Sequence, residues 1–335
     1  MDSVTHVVIG ALMGDAFAGK SLGKKAMIWG AAAQSLPDID FVASFWLPTT
    51  ENLLVHRGLT HSLVFGACAT VVLSIVCRRM YMDISLKKWL LFFGVELYTH
   101  LFLDSFNSYG TGLFEPFDHS RISFNALFVV DPFFSVVPTL VFLALLVMRT
   151  ASAFRKWLVA LGLITCSFYL LYAVENKAAI DQVANENLHD QNIDYTRYFT
   201  TPTAFNNWLW YVVAEGRNGY FIGYRSVFDR TDSIHFQYFP RQEVLLKTTD
   251  VRSDVSQLLQ FSQGYYTVQN DRDTLVFNDL RFGQIMGWTD PKAKFVFHYY
   301  LNYPAANDLV IQRGRFTGWT EENWTAFMNR IRGYR

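Results

Sequence analysis

Long apolar runs, each flanked by a pair of basic residues, restrict this chain more than any other feature. Ser62 to Cys77 stops at Arg78-Arg79, Trp89 to Leu103 follows Lys87-Lys88, and Trp157 to Val174 follows Arg155-Lys156. Each approaches the ~20 residues that a helix needs to cross a bilayer. A fourth run, Leu127 to Met148, is long enough but holds Asp131, Pro132 and Pro138. Val7 to Ala18 and Ala26 to Phe45 are ambiguous, the second because Pro37, Asp38 and Asp40 lie inside it. They read as tilted or broken helices packed on the others, since irregular backbone at membrane depth survives only under protein cover. The expectation is an α-helical integral membrane domain of about four to six helices over residues 1–178.

Basic residues cluster at Lys20/Lys24/Lys25, at Arg78 to Lys88 and at Arg149 to Lys156. Placing these loops in the cytoplasm, as the positive-inside rule requires, alternates consistently over six crossings. The N-terminus, the Trp46–His61 loop, the Asp104–Asn125 loop and everything after Glu175 then lie outside. From about Asp181 the character changes to short, aromatic, β-prone segments separated by Gly, Asn and Asp turns, such as Trp208 to Val213, Tyr220 to Tyr224, Ile234 to Phe239 and Phe295 to Tyr300. Ser256 to Gln263 and Glu321 to Arg332 read as helices. Residues 179–335 are therefore expected to form a small α+β domain on the extracytoplasmic side. Charged residues make up 17% of the chain and formal net charge is zero, which argues against nucleic acid as the main partner. Cys68, Cys77 and Cys166 sit in apolar stretches and read as buried hydrophobes. No basic segment precedes an apolar core at the start, so a cleavable signal peptide is not expected.

In that orientation, histidines and acids of the first 125 residues gather at extracytoplasmic helix ends: His6, Asp38, Asp40, His56, His61, His100 and Asp104. His100 and Asp104 are four residues apart, so on a helix they share a face and can chelate one ion. Imidazole with carboxylate suits zinc, manganese or iron. Asp38 and Asp40 follow a proline that favours a helix break; they are candidates to bridge metals, act as base or orient a ligand histidine. Gly58 lets the chain between His56 and His61 bend. Ionisable groups within a span are costly and usually mark a site. The expected metal ligands are His6, Asp40, His56, His61, His100 and Asp104. Glu96, one turn before His100, is a candidate base or supporting partner; Arg57 and Arg121 suit a phosphate or carboxylate; Asn107 and Thr111 suit substrate or water. His119, His189, His235 and His298 read as ordinary surface or packing residues.

The motifs Asp2 to His6, Pro37-Asp-Ile-Asp40, His56-Arg-Gly-Leu-Thr-His-Ser62, His100-Leu-Phe-Leu-Asp104 and Asn107 to Thr111 resemble, in kind and order, the YdjM/YfhP-type family of inner-membrane, metal-dependent hydrolases over about residues 1–150. The resemblance implies a multi-pass protein of the bacterial inner membrane with these residues as ligands. It names no substrate. The order His, Asp, His, H-x-x-x-D also resembles part of the pattern of zinc-dependent phospholipases C and single-strand nucleases. Their further H-x-x-x-E pair has no counterpart here, which favours one or two metal ions over three.

The expected function is a membrane-bound hydrolase in which metal-activated water cleaves a phosphoester of a lipid or lipid-linked substrate at the extracytoplasmic face. Asp38, Asp40, Arg57 and Glu96 are the catalytic candidates. The alternative is a non-catalytic, metal-stabilised membrane protein whose C-terminal domain binds a partner or glycan. A metal transporter fits less well, because the cytoplasmic ends carry no matching ligands.

Overall fold

The computed structural model describes residues 1–248, 252–271, 273–303, 307 and 319–334. It separates into two compact units: residues 1–45 with 55–173, and residues 46–54 with 174–335. The boundary in α7 falls a few residues before the expected one, and the short segment 46–54 goes with the second unit.

The first unit is helical. It holds α1 (Ser3–Leu22), α2 (Lys25–Ser35), a 3-10 helix over Pro37–Phe45, a 3-10 turn at Leu59–His61, α4 (Leu63–Met80), α5 (Leu86–Asp104), α6 (Pro132–Val147) and the start of α7 (Arg155–Asp190); α3 is Thr49–Val55. By length and composition, α4 and α7 are long and apolar enough to cross a membrane, and α6 is a shorter apolar helix. Two more helices are as long as α4: α1, with Asp15 and Lys20 among its 20 residues, and α5, with Lys87, Lys88, Glu96 and Asp104 among its 19. The start of α6 is set by chemistry rather than hydropathy. The Asp131 carboxylate accepts from the Phe133 and Phe134 amides at 3.0 and 3.4 Å, and Pro132 takes the first helical position, where no amide is needed.

Glycine decides how α1 meets α2. A Cβ on Gly30 would fall 2.0 Å from the Gly10 carbonyl oxygen, and one on Gly14 would fall 2.2 Å from that of Ala26. Only hydrogens at these positions allow the backbones so close, the small-residue packing of membrane helices. The hairpin brings the first turns of α1 to the last turn of α2, so His6 lies beside Gln34. Capping by Asp2, which accepts from the Thr5 amide at 3.0 Å, fixes where α1 begins and hence where His6 points.

The second unit contains two antiparallel sheets. One has the order β1 (Arg197–Pro202), β2 (Leu209–Glu215), β3 (Gly219–Ser226), β4 (Gln237–Pro240); the other runs β5 (Tyr266–Asp271), β6 (Thr274–Gln284), β7 (Phe295–Tyr300). Helices α8 (Arg252–Phe261) and α9 (Glu321–Ile331) complete it. Tyr211, Val213, Tyr220, Ile222, Tyr265, Leu280 and Phe295 form one buried cluster, while Ala184 of α7 packs with Val212 and Ile234.

Candidate metal centre

Four side chains from three places in the sequence converge in the first unit. Asp38, His61, His100 and Asp104 each offer one ligand atom, all within 4.8 Å of one another. The Nε2 atoms of His61 and His100 are 3.1 Å apart. Asp104 Oδ2 lies 3.3 Å from His61 Nε2 and 3.5 Å from His100 Nε2. Asp38 Oδ1 lies 3.5 and 3.8 Å from the same two nitrogens. A tetrahedron with bonds of ~2.0–2.1 Å, the zinc–nitrogen distance, has edges of about 3.3 Å. The cluster has that size.

The histidine tautomers point the same way, as inferred from partners. Nδ1 of His100 donates to the Gln34 carbonyl at 2.6 Å. Nδ1 of His61 faces Thr60 Oγ1 at 3.1 Å and Asp40 Oδ2 at 3.3 Å, and the Thr60 hydroxyl in turn donates to Asp40. Both outer nitrogens thus carry the proton, and both inner ones present a lone pair. Two lone pairs 3.1 Å apart repel. A shared proton would relieve that one edge; a cation at the middle relieves every edge. Asp104 Oδ2 is buried and has no hydrogen-bond partner among the described residues, as expected of an atom shaped for an ion.

Neighbouring groups hold these four in place. The other oxygen of Asp104 accepts from His6 Nε2 at 3.1 Å and from the Met1 amino group. With its second nitrogen against Gln34, His6 has both ring nitrogens engaged outside the four-atom set. Arg57 is buried: its Nη1 donates to Asn107 Oδ1 at 2.7 Å, its Nη2 to the Met1 carbonyl at 3.0 Å, and its Nε lies 3.3 Å from Asp104 Oδ2. Its backbone sits in the left-handed region at φ 58, a conformation a non-glycine residue adopts only when its surroundings compel it. Here the Arg57 amide donates to Asp40 Oδ2 at 2.7 Å and its carbonyl accepts from the Gly112 amide at 2.9 Å.

Asp40 thus supports three groups: His61, the Arg57 amide and His56, whose Nδ1 is 3.0 Å from Asp40 Oδ1. Burial pushes the Asp40 carboxyl up, but hydrogen bonds from His56 and His61 outweigh it and hold it well below the usual carboxylate range. Asp38 behaves likewise: burial raises it, the His61, His100 and Arg57 side chains around it lower it, and it rests at about 2. Both carboxyls lie in the 3-10 helix, outside the two helices long enough to span. His56 is the most open of these imidazoles, its side chain 33% exposed, and its ring meets Tyr109 edge-on at 5.0 Å. Arg121 Nη2 donates to the His56 carbonyl at 2.9 Å.

Every residue singled out in the motifs is therefore placed. His61, His100, Asp104 and Asp38 share the centre. His6, Asp40, Arg57 and Asn107 surround it, and His56 and Arg121 stand beside Tyr109. The His56 and His61 rings are 6.3 Å apart, and those of His61 and His100 5.0 Å. Glu96 is fully buried on α5 with Gln34 beside it, makes no well-formed hydrogen bond among the described residues, and is not in the four-atom set. Thr111 is fully buried. The sequence assigns no role to Gln34 or to Thr60, although Thr60 belongs to the His56–Ser62 motif. Gln34 meets His100 through its backbone carbonyl and His6 through its side-chain oxygen, contacts that no spacing announces.

A family model described as YdjM inner membrane protein matches residues 1–179. The chain is 24% identical over 336 residues, covering 95% of both proteins, to the uncharacterized protein YfhP of Bacillus subtilis (strain 168). It is 29% identical over 110 residues to the inner membrane protein YbcI of Escherichia coli (strain K12), covering 33% of this chain and 63% of that protein. No solved structure matches.

Proposed function

We propose that this chain, which belongs to the YdjM inner membrane protein family, is a membrane-bound metal-dependent hydrolase acting on a phosphoester of a lipid or lipid-linked substrate. Asp38, His61, His100 and Asp104 would hold the ion, with zinc favoured by two imidazoles and two carboxylates at tetrahedral spacing. A divalent cation there would supply Lewis acidity and a lowered pKa for water. The carrying observation is the pair of Nε2 atoms facing each other at 3.1 Å beside a buried Asp104 oxygen that accepts no hydrogen bond among the described residues.

The protein's own groups supply the rest. His56, oriented through Nδ1 by Asp40, takes or returns a proton at its Nε2. Arg121 is the guanidinium for the substrate's anionic group. Arg57 instead restrains Asp104 and the start of the chain, since its three nitrogens already face Asn107, Met1 and Asp104. The basic loops favour six crossings, with the centre and residues 179–335 on the extracytoplasmic side. Elemental analysis of the purified protein, with phosphodiester and phospholipid hydrolysis assayed before and after chelation, tests this. Activity that survives removal of the metal eliminates the mechanism.

One observation favours a second reading. Three of the four ligands are fully buried, and closed four-ligand zinc sites are commonly structural. In that case the metal ties helix ends together, and its removal lowers stability with no turnover to lose.

A further inference from the structure

A cavity of about 790 Å³ in the helical unit belongs neither to the metal centre nor to any motif. It lies between the C-terminal end of α1, the turn at Gly23, the residues 150–153 and the first turns of α7. Its wall is divided by chemistry. Ala16, Val159, Ala160 and Leu163 are apolar, whereas Lys20, Arg155, Lys156 and Asp15 are charged. Arg155 and Asp15 neutralise each other, with Nη2 to Oδ1 at 2.8 Å and both side chains nearly buried. That leaves the exposed Lys20 and Lys156 as surplus positive charge, neither of them paired with an acid among the described residues.

The depth of this cavity is marked by α7 itself. The apolar stretch of that helix begins immediately after Lys156, and Trp157 is 65% exposed with the Lys156 ammonium 5.4 Å from its ring centroid. An exposed tryptophan beside a lysine at the end of an apolar span is the mark of the headgroup layer. A cavity opening there with cations at one end and aliphatic side chains further along α7 matches a molecule that is anionic at one end and hydrocarbon at the other.

We propose that this cavity binds an anionic phospholipid, its phosphate between Lys20 and Lys156 and an acyl chain along Val159, Ala160 and Leu163. Basic pockets between membrane helices select such headgroups by charge. The site takes its lipid as a resident ligand and is independent of any hydrolytic step.

The test uses the full chain in detergent, stripped of lipid and retitrated by native mass spectrometry. Probes are phosphatidylglycerol, phosphatidylcholine of the same acyl composition, and inorganic phosphate alone. Phosphatidylglycerol should bind well above phosphatidylcholine. Lys20→Ala with Lys156→Ala should weaken it about 30-fold, as expected from removing two interfacial lysines. Ala160→Asn, at a half-buried wall position, should weaken it as well without touching a cation. Metal content, read on the same samples, should stay unchanged and shows that the variants are folded. Equal binding of the two lipids, undiminished binding by the double variant, or competition by inorganic phosphate at the affinity of the lipid would each overturn the proposal.

Discussion

Asp40 and Asp104 are both buried carboxylates among histidines, yet they do opposite work. Asp104 turns to the centre an oxygen that accepts no hydrogen bond among the described residues, while both oxygens of Asp40 are taken by His56, Thr60 and the Arg57 amide. Replacing a ligand should therefore differ from replacing its support. His100→Ala and Asp104→Asn should abolish stoichiometric metal, read by elemental analysis. Asp40→Asn should keep the metal but weaken affinity about 10–100-fold in chelator competition, the usual loss when an outer partner of a ligand histidine is removed. Metal retained at full affinity in Asp40→Asn would show that Thr60 alone fixes His61. His56→Ala separates chemistry from binding. Metal content should hold while turnover drops about 10²–10⁴-fold, the usual contribution of a positioned acid or base. At this scale the motifs were informative because coordination restricts residue type and spacing: the four-residue step from His100 to Asp104 is legible in any helix. What the motifs cannot say is which oxygen or nitrogen faces inward. That depends on acceptors such as the Gln34 carbonyl, and every residue type has one.

Among the elements, the α1–α2 hairpin governs the site most directly. Gly30 stands where any side chain would strike the Gly10 carbonyl, and its Cβ would also come within 2.9 Å of Glu96 Oε1. Gly30→Leu should cost about 1–3 kcal/mol in overpacking and should reduce metal retention in parallel, because His6 and the Gln34 carbonyl ride on the two helices being forced apart. Thermal unfolding and metal content, measured together, check this; lost stability with intact metal would mean the centre tolerates hairpin movement. The helices were readable because apolar length and basic flanks are strong, local signals. The starts were less so: α6 begins at Pro132 because of a side-chain cap, and hydropathy does not register one. In the second unit, β2, β3, β4 and β7 fall on aromatic runs visible in the sequence. Strand β5, Tyr-Thr-Val-Gln-Asn-Asp, is polar over its second half, so its pattern is weak; it forms as one arm of a tight hairpin with β6, Asp271 opposite Thr274.

At the scale of the whole chain, the centre and its supports all lie in the first unit, and the family match ends at residue 179. A chain ending at Glu175 should therefore bind metal with unchanged stoichiometry. A chain ending at Asp190 should behave worse despite being longer. The last turns of α7 bury Ile180, Ala184 and Leu188, and Ala184 packs on Val212 and Ile234, so without the sheets these apolar side chains meet water. Size-exclusion profiles should show the longer truncation associating and the shorter one monodisperse. The segment 46–54 supplies the internal control. It belongs to the second unit, where Thr50 Oγ1 donates to Asp254 Oδ1 at 3.3 Å, yet in sequence it lies between Asp40 and His56. In the truncated chain it loses that partner, so limited proteolysis should cut within 46–54 at a protease dose that spares the full-length protein. If cutting there leaves the metal in place, Asp38 and His61 are held by Asp40, Thr60 and the Arg57 turn alone. If the metal leaves with the cut, the second unit is part of what shapes the centre.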